Sequence, residues 1–281
     1  MPARFAPALW LLAACLLRAG QDPAAPTLTA AELREVVKKS ASEDNLNFGP
    51  SRDYVYVEDK ETRFVDARGH VTKSAKETHE SMVLYGERYE RLIRKDGKPL
   101  PPNQERAEQH KLDKETAKRK QEPAEAKAKR LDAERQKSLA CNAEFVDGYQ
   151  FRLLGAEAVN GRPAWKVEAT PTPGGSPRCE GMKKVKAFRL LIWIDQQESQ
   201  WARVEADNIA PVTAAGILFR APAGAMHIAF EPVRREDGAW LPARMTASIG
   251  AKVMLMAKLR VEIEATYGNY RKFQSESRIV E

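Results

Sequence analysis

The sequence predicts a mainly β (α+β) protein: about eleven antiparallel strands joined by hairpins, bent into a curved sheet or open barrel, with helices only near the start and in one charged insertion. Short runs rich in Val, Ile, Tyr, Phe, Trp and Thr recur from Tyr54 towards the end, separated by Gly, Asn and Asp turns. Val159-Asn160-Gly161-Arg162 lies between two such runs, and an Asn-Gly pair tolerates the two positive φ angles of a tight hairpin turn. From Lys258 to Tyr267 the residues alternate: Leu259, Val261, Ile263, Ala265 and Tyr267 against Lys258, Arg260, Glu262, Glu264 and Thr266. Such a strand has one face on apolar material and the other in water.

The first element is a helix. Thr29 is its expected N-cap, and Leu33, Val36 and Val37 recur at helical spacing before the turn residues Asn45, Asn47, Gly49 and Pro50. Strands are expected at 54–57, 63–66, 81–85 and 89–94, with turns at Asp59-Lys60, Arg68-Gly69, Gly86 and Asp96-Gly97. At Pro101 the composition shifts to Lys, Arg, Glu, Gln and Ala, and stays so to Leu139. Asn103 is placed to cap a helix that Pro123 interrupts, and Glu115 with Arg119 and Glu125 with Lys129 are spaced as helical ion pairs. The apolar residues Leu112, Leu131 and Leu139 are too few to bury much, so segment 101–139 reads as a solvated helical excursion between two strands. Beyond it, strands are expected at 149–154, 164–169, 188–195, 201–206, 217–220, 226–230, 243–249 and 258–267.

The chain has 281 residues, enough for one large domain with a substantial core. Hydrophobic residues make up 43% and charged residues 30%, which excludes global disorder and a multi-span membrane protein. The net charge is +7, but the cations are spread along the chain without the clustered basic and aromatic pattern of a nucleic-acid module. No nucleic-acid partner is expected, and a weak attraction to anionic lipid head groups is the most this charge implies.

The N-terminus carries an export pattern. Arg4 precedes the apolar run Phe5 to Leu17, thirteen residues, followed by Arg18 and the polar stretch Gln21 to Pro26. The run is short of the roughly 20 residues a membrane-spanning helix needs, and the order basic, apolar, small-polar is that of a secretory signal. Residues 1–25 are therefore read as a signal peptide and 29–281 as the folded domain, with no spanning segment left after processing. Leu12-Ala13-Ala14-Cys15 also has the form of a bacterial lipobox, so acylation at Cys15 and cleavage near Ala19 to Ala25 stand as alternative routes. The expected location is the periplasm of a Gram-negative bacterium, with anchoring to the outer membrane if Cys15 is acylated.

Processing leaves Cys141 and Cys179, placed in loop-like stretches, which could pair as a disulfide in an oxidising compartment or stand as two thiols. His70, His79, His110 and His227 lack metal-ligand spacing, and there is no nucleophile elbow, phosphate loop or dinucleotide fingerprint. Asp195 and Glu198 read as turn residues rather than a catalytic carboxylate pair. The expectation is a protein that is not an enzyme and uses neither cofactor nor metal.

Val83-Leu84-Tyr85-Gly86-Glu87-Arg88-Tyr89-Glu90-Arg91-Leu92, Asp96-Gly97-Lys98-Pro99-Leu100, Leu190-Leu191-Ile192-Trp193-Ile194-Asp195, Trp240-Leu241-Pro242 and Tyr267-Gly268-Asn269-Tyr270-Arg271-Lys272-Phe273 together resemble the LolA/LolB-like outer-membrane lipoprotein-sorting proteins over roughly Ala30 to Ile279. The resemblance implies a half-open antiparallel β-barrel closed on one side by helix, whose apolar hollow accepts acyl chains. The charged insertion departs from that pattern, and no position carries over the polar residue that latches the lid of the well-known carrier.

The late strands also offer a physical reason for a hollow. One face of the late sheet is expected to offer Met226, Ile228, Phe230, Met245, Ile249, Met254 and Met256, a set rich in flexible thioethers, which adapt to varied apolar ligands; the same alternation also suits a packed core. The expected function is a non-enzymatic periplasmic carrier or receptor for lipoprotein acyl chains or another apolar ligand. The alternative is an envelope sensor or scaffold whose insertion, 101–139, contacts a protein partner.

Overall fold

The computed structural model describes residues 27–42, 53–214, 219–253 and 257–273. The expected signal peptide, Cys15, Met254 and Met256 lie outside them.

Helix α1 (Ala30–Ser40) begins at Thr29 with a complete capping box: the Thr29 side chain accepts from the Glu32 amide while Glu32 reaches back to the Thr29 amide at 2.7 Å. That contact holds the Glu32 carboxyl below its ordinary range. Leu33 and Val37, one helical turn apart, are buried together.

The strands that follow are longer than local sequence suggests. β1 (Tyr54–Val65) runs unbroken through Asp59-Lys60, which the sequence marks as a turn, and β2 (Val71–Leu84) includes the polar stretch Thr72 to Glu80. These charges survive in strands because partners face them across the ladder: Lys60 lies 3.1 Å from Glu77, and Lys76 lies 3.6 Å from Glu61. β3 (Glu87–Lys95) and the two-residue β4 (Lys98–Pro99) complete this half.

The expected helical excursion forms as two helices, α2 (Pro102–Gln121) and α3 (Ala124–Gly148), broken at Pro123 as the sequence implies. Asn103 is not the cap. Pro101 occupies that position with Pro102 opening the helix, where a fixed φ and a missing N–H cost nothing. None of α2 is buried, whereas α3 continues past the charged stretch and buries Phe145 and Val146.

β5 (Tyr149–Val159) and β6 (Arg162–Pro171) form the hairpin signalled by Asn160-Gly161, whose φ values are +51° and +76°. A short helix α4 (Glu180–Val185) precedes β7 (Phe188–Asp195) and β8 (Trp201–Asn208), followed by the small β9 (Val212–Ala214) and β10 (Phe219–Ala221) and the long β11 (Met226–Arg234), β12 (Trp240–Val253) and β13 (Ala257–Lys272).

Eleven strands pair in the order β4-β3-β2-β1-β13-β12-β11-β8-β7-β6-β5, with β10 added on β12 and β9 on β10. All pairings given are antiparallel, and β4 and β5, the two ends of the order, do not pair with each other, so the sheet does not close. The helical hairpin α2–α3 is the stretch of chain that connects these two ends. The main core lies over β5–β8: Leu33 and Val37 of α1 and Phe145 and Val146 of α3 pack with Val167, Ala169, Leu190, Ile192 and Ile194. Trp201 fastens α1 there by donating its indole N–H to Ser40 Oγ at 2.9 Å.

Candidate functional site: the inner face of the open sheet

Register decides which residues share a face. Val167 opposes Ile192, Ile192 opposes Val204, and Val204 opposes Phe230, so the face that carries the core over β5–β8 continues onto β11. There Met226 faces Ile249, Ile228 faces Ala247 and Phe230 faces Met245. These pair onward with Val261, Ile263 and Ala265 of β13. Five of the seven residues singled out from sequence, Met226, Ile228, Phe230, Met245 and Ile249, thus form one apolar surface across β11 and β12, extended by the alternating residues of β13.

Their burial differs from that of the core. All five are half-buried, and neither Met226, Ile228, Met245 nor Ile249 belongs to either buried cluster. The second cluster, Tyr54, Ala239 and Leu241 with Tyr270 against it, closes one end of this face. Next to it, Tyr56 stacks edge-on against Tyr267 at 5.6 Å and tilts against Tyr270 at 5.9 Å, while Arg88 sits 4.8 Å over the Tyr56 ring. Burial pushes the Tyr267 and Tyr270 hydroxyls well above their ordinary range, so both stay neutral donors.

Across β1 and β2 the same face turns polar. Ala265 opposes Lys60, which opposes Glu77; Tyr267 opposes Glu58, which opposes His79. His79 Nδ1 lies 3.5 Å from Glu58, with both side chains largely buried.

The opposite face carries ion pairs. Arg152 meets Glu168 at 2.8 Å, while Arg189 meets Asp207 at 3.1 Å and His227 meets Asp207 at 2.8 Å. Trp193 is buried on this side between Lys166 at 4.8 Å and Arg203 at 5.1 Å. The sheet is therefore polar outside and apolar inside over β11–β13.

The helical hairpin is clamped at its tip. Arg119 donates to the Leu84, Glu87 and Arg88 carbonyls at 3.2, 2.9 and 3.3 Å, and Lys127 donates to the Tyr85 carbonyl. Arg130 bridges Glu87 and Glu122, each at 2.8 Å, which holds both carboxyls below their ordinary range. The Glu115–Arg119 pair expected from sequence forms at 2.8 Å. The carbonyl contacts had no sequence signal, because their acceptors are backbone. At the base, Cys141 and Cys179 are joined by a disulfide with Cα atoms 5.4 Å apart. Cys141 lies in α3 and Cys179 immediately before α4, where regular structure sets their spacing, so the loop placement expected for Cys141 is corrected.

Asp195 behaves as a turn residue. Its Oδ1 accepts from the Gln197 and Glu198 amides at 3.0 and 2.7 Å, and Arg162 holds both oxygens. Among the described residues no group of three or more His, Cys, Asp or Glu is arranged to hold a metal ion, and no helix is long and apolar enough to cross a membrane.

An antiparallel sheet of eleven strands, open between its ends and covered by helix over one half of its inner face, defines a half-open β-barrel. No family model and no curated protein matches the chain. Solved structures align with most of it, among them the following three. A provisionally described outer membrane lipoprotein-sorting protein domain from Vibrio parahaemolyticus is 13% identical, over 88% of this chain and 94% of that one, with TM-score 0.36. A DUF1329 family protein from Desulfovibrio piger is 12% identical over 89% and 96%, with TM-score 0.36. A LolA superfamily protein from Nitrosomonas europaea is 10% identical over 87% and 94%, with TM-score 0.32. The first and third bear the descriptions that the sequence motifs resemble. The fold and the site stand on this chain's own register and burial.

Proposed function

We propose that the protein is a non-enzymatic carrier or receptor for acyl chains, those of lipoproteins or of another lipid, acting in the periplasm. The observation that carries this is the half-buried apolar surface of Met226, Ile228, Phe230, Met245 and Ile249, which the register continues from the packed core. An acyl chain laid there gains about 0.8 kcal/mol per methylene removed from water, and Met side chains adjust to its path. The Cys141–Cys179 disulfide and the export pattern before residue 26 support an oxidising compartment.

The test is native mass spectrometry of protein purified from its own envelope, with titration of a fluorescent fatty acid. Bound lipid and saturable binding are expected. A stable protein that carries no lipid and binds no acyl ligand of any length would falsify the carrier reading.

A second reading, an envelope sensor or scaffold, is favoured by the hairpin: α2 buries none of its residues yet its tip is clamped to the sheet, which presents an ordered charged surface to a protein partner. Loss of biological function with retained lipid binding, on replacing only 103–137, would select it.

A further inference from the structure

The inner face ends in a strip that an acyl chain alone does not use. We infer that Glu58, His79 and Ser81, beside Tyr56 and Tyr267, form a head-group site for the amphiphile whose tail lies on β11–β13, and that it selects a head offering hydrogen-bond donors, ammonium or hydroxyl, over an anionic one. This rests on the carrier reading and adds the polar half of the ligand.

Position comes first. Tyr267 follows Ala265 by two residues on β13, so Glu58 and His79, which oppose it in turn across β1 and β2, lie one pleat repeat beyond the row of Phe230, Met245 and Ala265. An acyl chain that crosses the face obliquely, from Ile249 of β12 past Ala265 of β13, brings its head to Glu58 of β1, with His79 on the next strand.

Unmet polar capacity comes second. Ser81 is 1% exposed and its Oγ has no hydrogen-bond partner, and His79 Nδ1 is likewise buried without one, Glu58 lying 3.5 Å away. Ser81 lies two residues from His79 on the same face and opposes Glu90 of β3. Buried polar atoms of native proteins are nearly all paired, so unpaired ones beside a ligand surface mark groups that a ligand completes. A hydroxyl head can donate to one neighbour and accept from another, as Ser81 and His79 require.

Charge sets the preference. Glu58, with its side chain 17% exposed, faces the strip, and Glu90 adds a second carboxylate beside Tyr56 at 3.5 Å. Arg88 is engaged with the Tyr56 ring and hydroxyl, and Lys60 with Glu77. An anionic head would meet Glu58 at close range with these cations already committed, whereas a donor head is attracted to it.

The test compares dodecylamine, dodecanol and dodecanoate, equal in tail, on the full mature protein, with Glu58→Gln and Ser81→Ala variants whose thermal melts confirm folding. Dodecylamine and dodecanol should bind at least fivefold more tightly than dodecanoate. Glu58→Gln should remove the advantage of the amine and Ser81→Ala weaken the alcohol, with the dependence on tail length intact in both. Equal binding of all three heads, or a preference unchanged in both folded variants, overturns the head-group site while leaving the carrier reading standing. Absence of binding by every amphiphile, in wild type as well, overturns both.

Discussion

The Arg162 guanidinium holds the Asp195 carboxylate at both ends, Nε to Oδ2 at 2.6 Å and Nη2 to Oδ1 at 3.0 Å, and so ties the start of β6 to the end of β7. The Asp195 side chain is fully buried and that of Arg162 is 23% exposed. Burial alone would raise the Asp195 carboxyl, but Arg162 and the Glu198 and Gln197 amides outweigh it and hold it below the usual carboxylate range. A depressed folded pKa stabilises the fold above the unfolded value, about 3.9, and that stability disappears as pH falls through the lower folded value. Arg162→Ala should therefore cost roughly 2–3 kcal/mol near neutral pH and move acid unfolding to higher pH. Melts between pH 2 and 7 check both; an unchanged acid midpoint contradicts the account.

The Cys141–Cys179 disulfide closes a loop with a sequence separation of 38 and pins the base of α3 to α4. In the chain-entropy account such a link contributes about 3–4 kcal/mol. Reductant should lower the melting temperature of the wild type, while a Cys141→Ala, Cys179→Ala double variant should already melt lower and be insensitive to reductant. Free-thiol titration of the oxidised protein should find neither cysteine.

Arg119 is expected to matter more than its solvated helix suggests. Arg119→Ala removes donors to three carbonyls at the β2–β3 turn and should cost about 1–2 kcal/mol, and Arg119→Lys should not restore it, since an ammonium cannot span the same acceptors. Replacing 103–137 with a short Gly/Ser linker should preserve the β circular-dichroism signal and a cooperative melt, since loop length changes closure entropy by only about 0.6 kcal/mol per doubling. The melting temperature should drop by the clamp's contribution, and loss of cooperativity would mean that the hairpin is integral to the sheet.

For the carrier reading, affinity should rise about fourfold for each methylene added to a saturated fatty ligand until the surface is filled. Ile228→Asp or Met245→Asp should abolish binding, because a carboxylate there meets the alkyl chain. Both positions are half-buried and outside the packed clusters, so both variants should retain a cooperative melt. A variant that unfolds instead would assign the position to a core.

Export is checked by the mature N-terminus. Cleavage near Ala19 to Ala25 is expected on the ordinary route, and globomycin should block maturation if Cys15 is acylated. A Cys15→Ala protein that matures normally would leave only the ordinary signal peptidase route.

The elements legible in the sequence were those defined by local rules. Thr29 ahead of Leu33, Val36 and Val37 marks a helix start, Asn160-Gly161 specifies a tight turn, and the alternation of β13 needs only its own residues to be seen. The polar first part of β2 and the middle of β1 were not legible, because Lys60 is stable in a strand only when Glu77, seventeen positions on, is opposite it.

The sequence by itself thus determined the helix start, most turns, most strands and the apolar residues that could line a hollow. Only the tertiary structure set the register that pairs Met226 with Ile249 and Phe230 with Met245, and decided that Glu58 and His79 continue that face and that the clamp on α2 uses backbone carbonyls. The reason is physical: alternation tells which residues of one strand point the same way, but a strand's face acquires a meaning only when its neighbours' register is set, and register depends on residues distant in the chain.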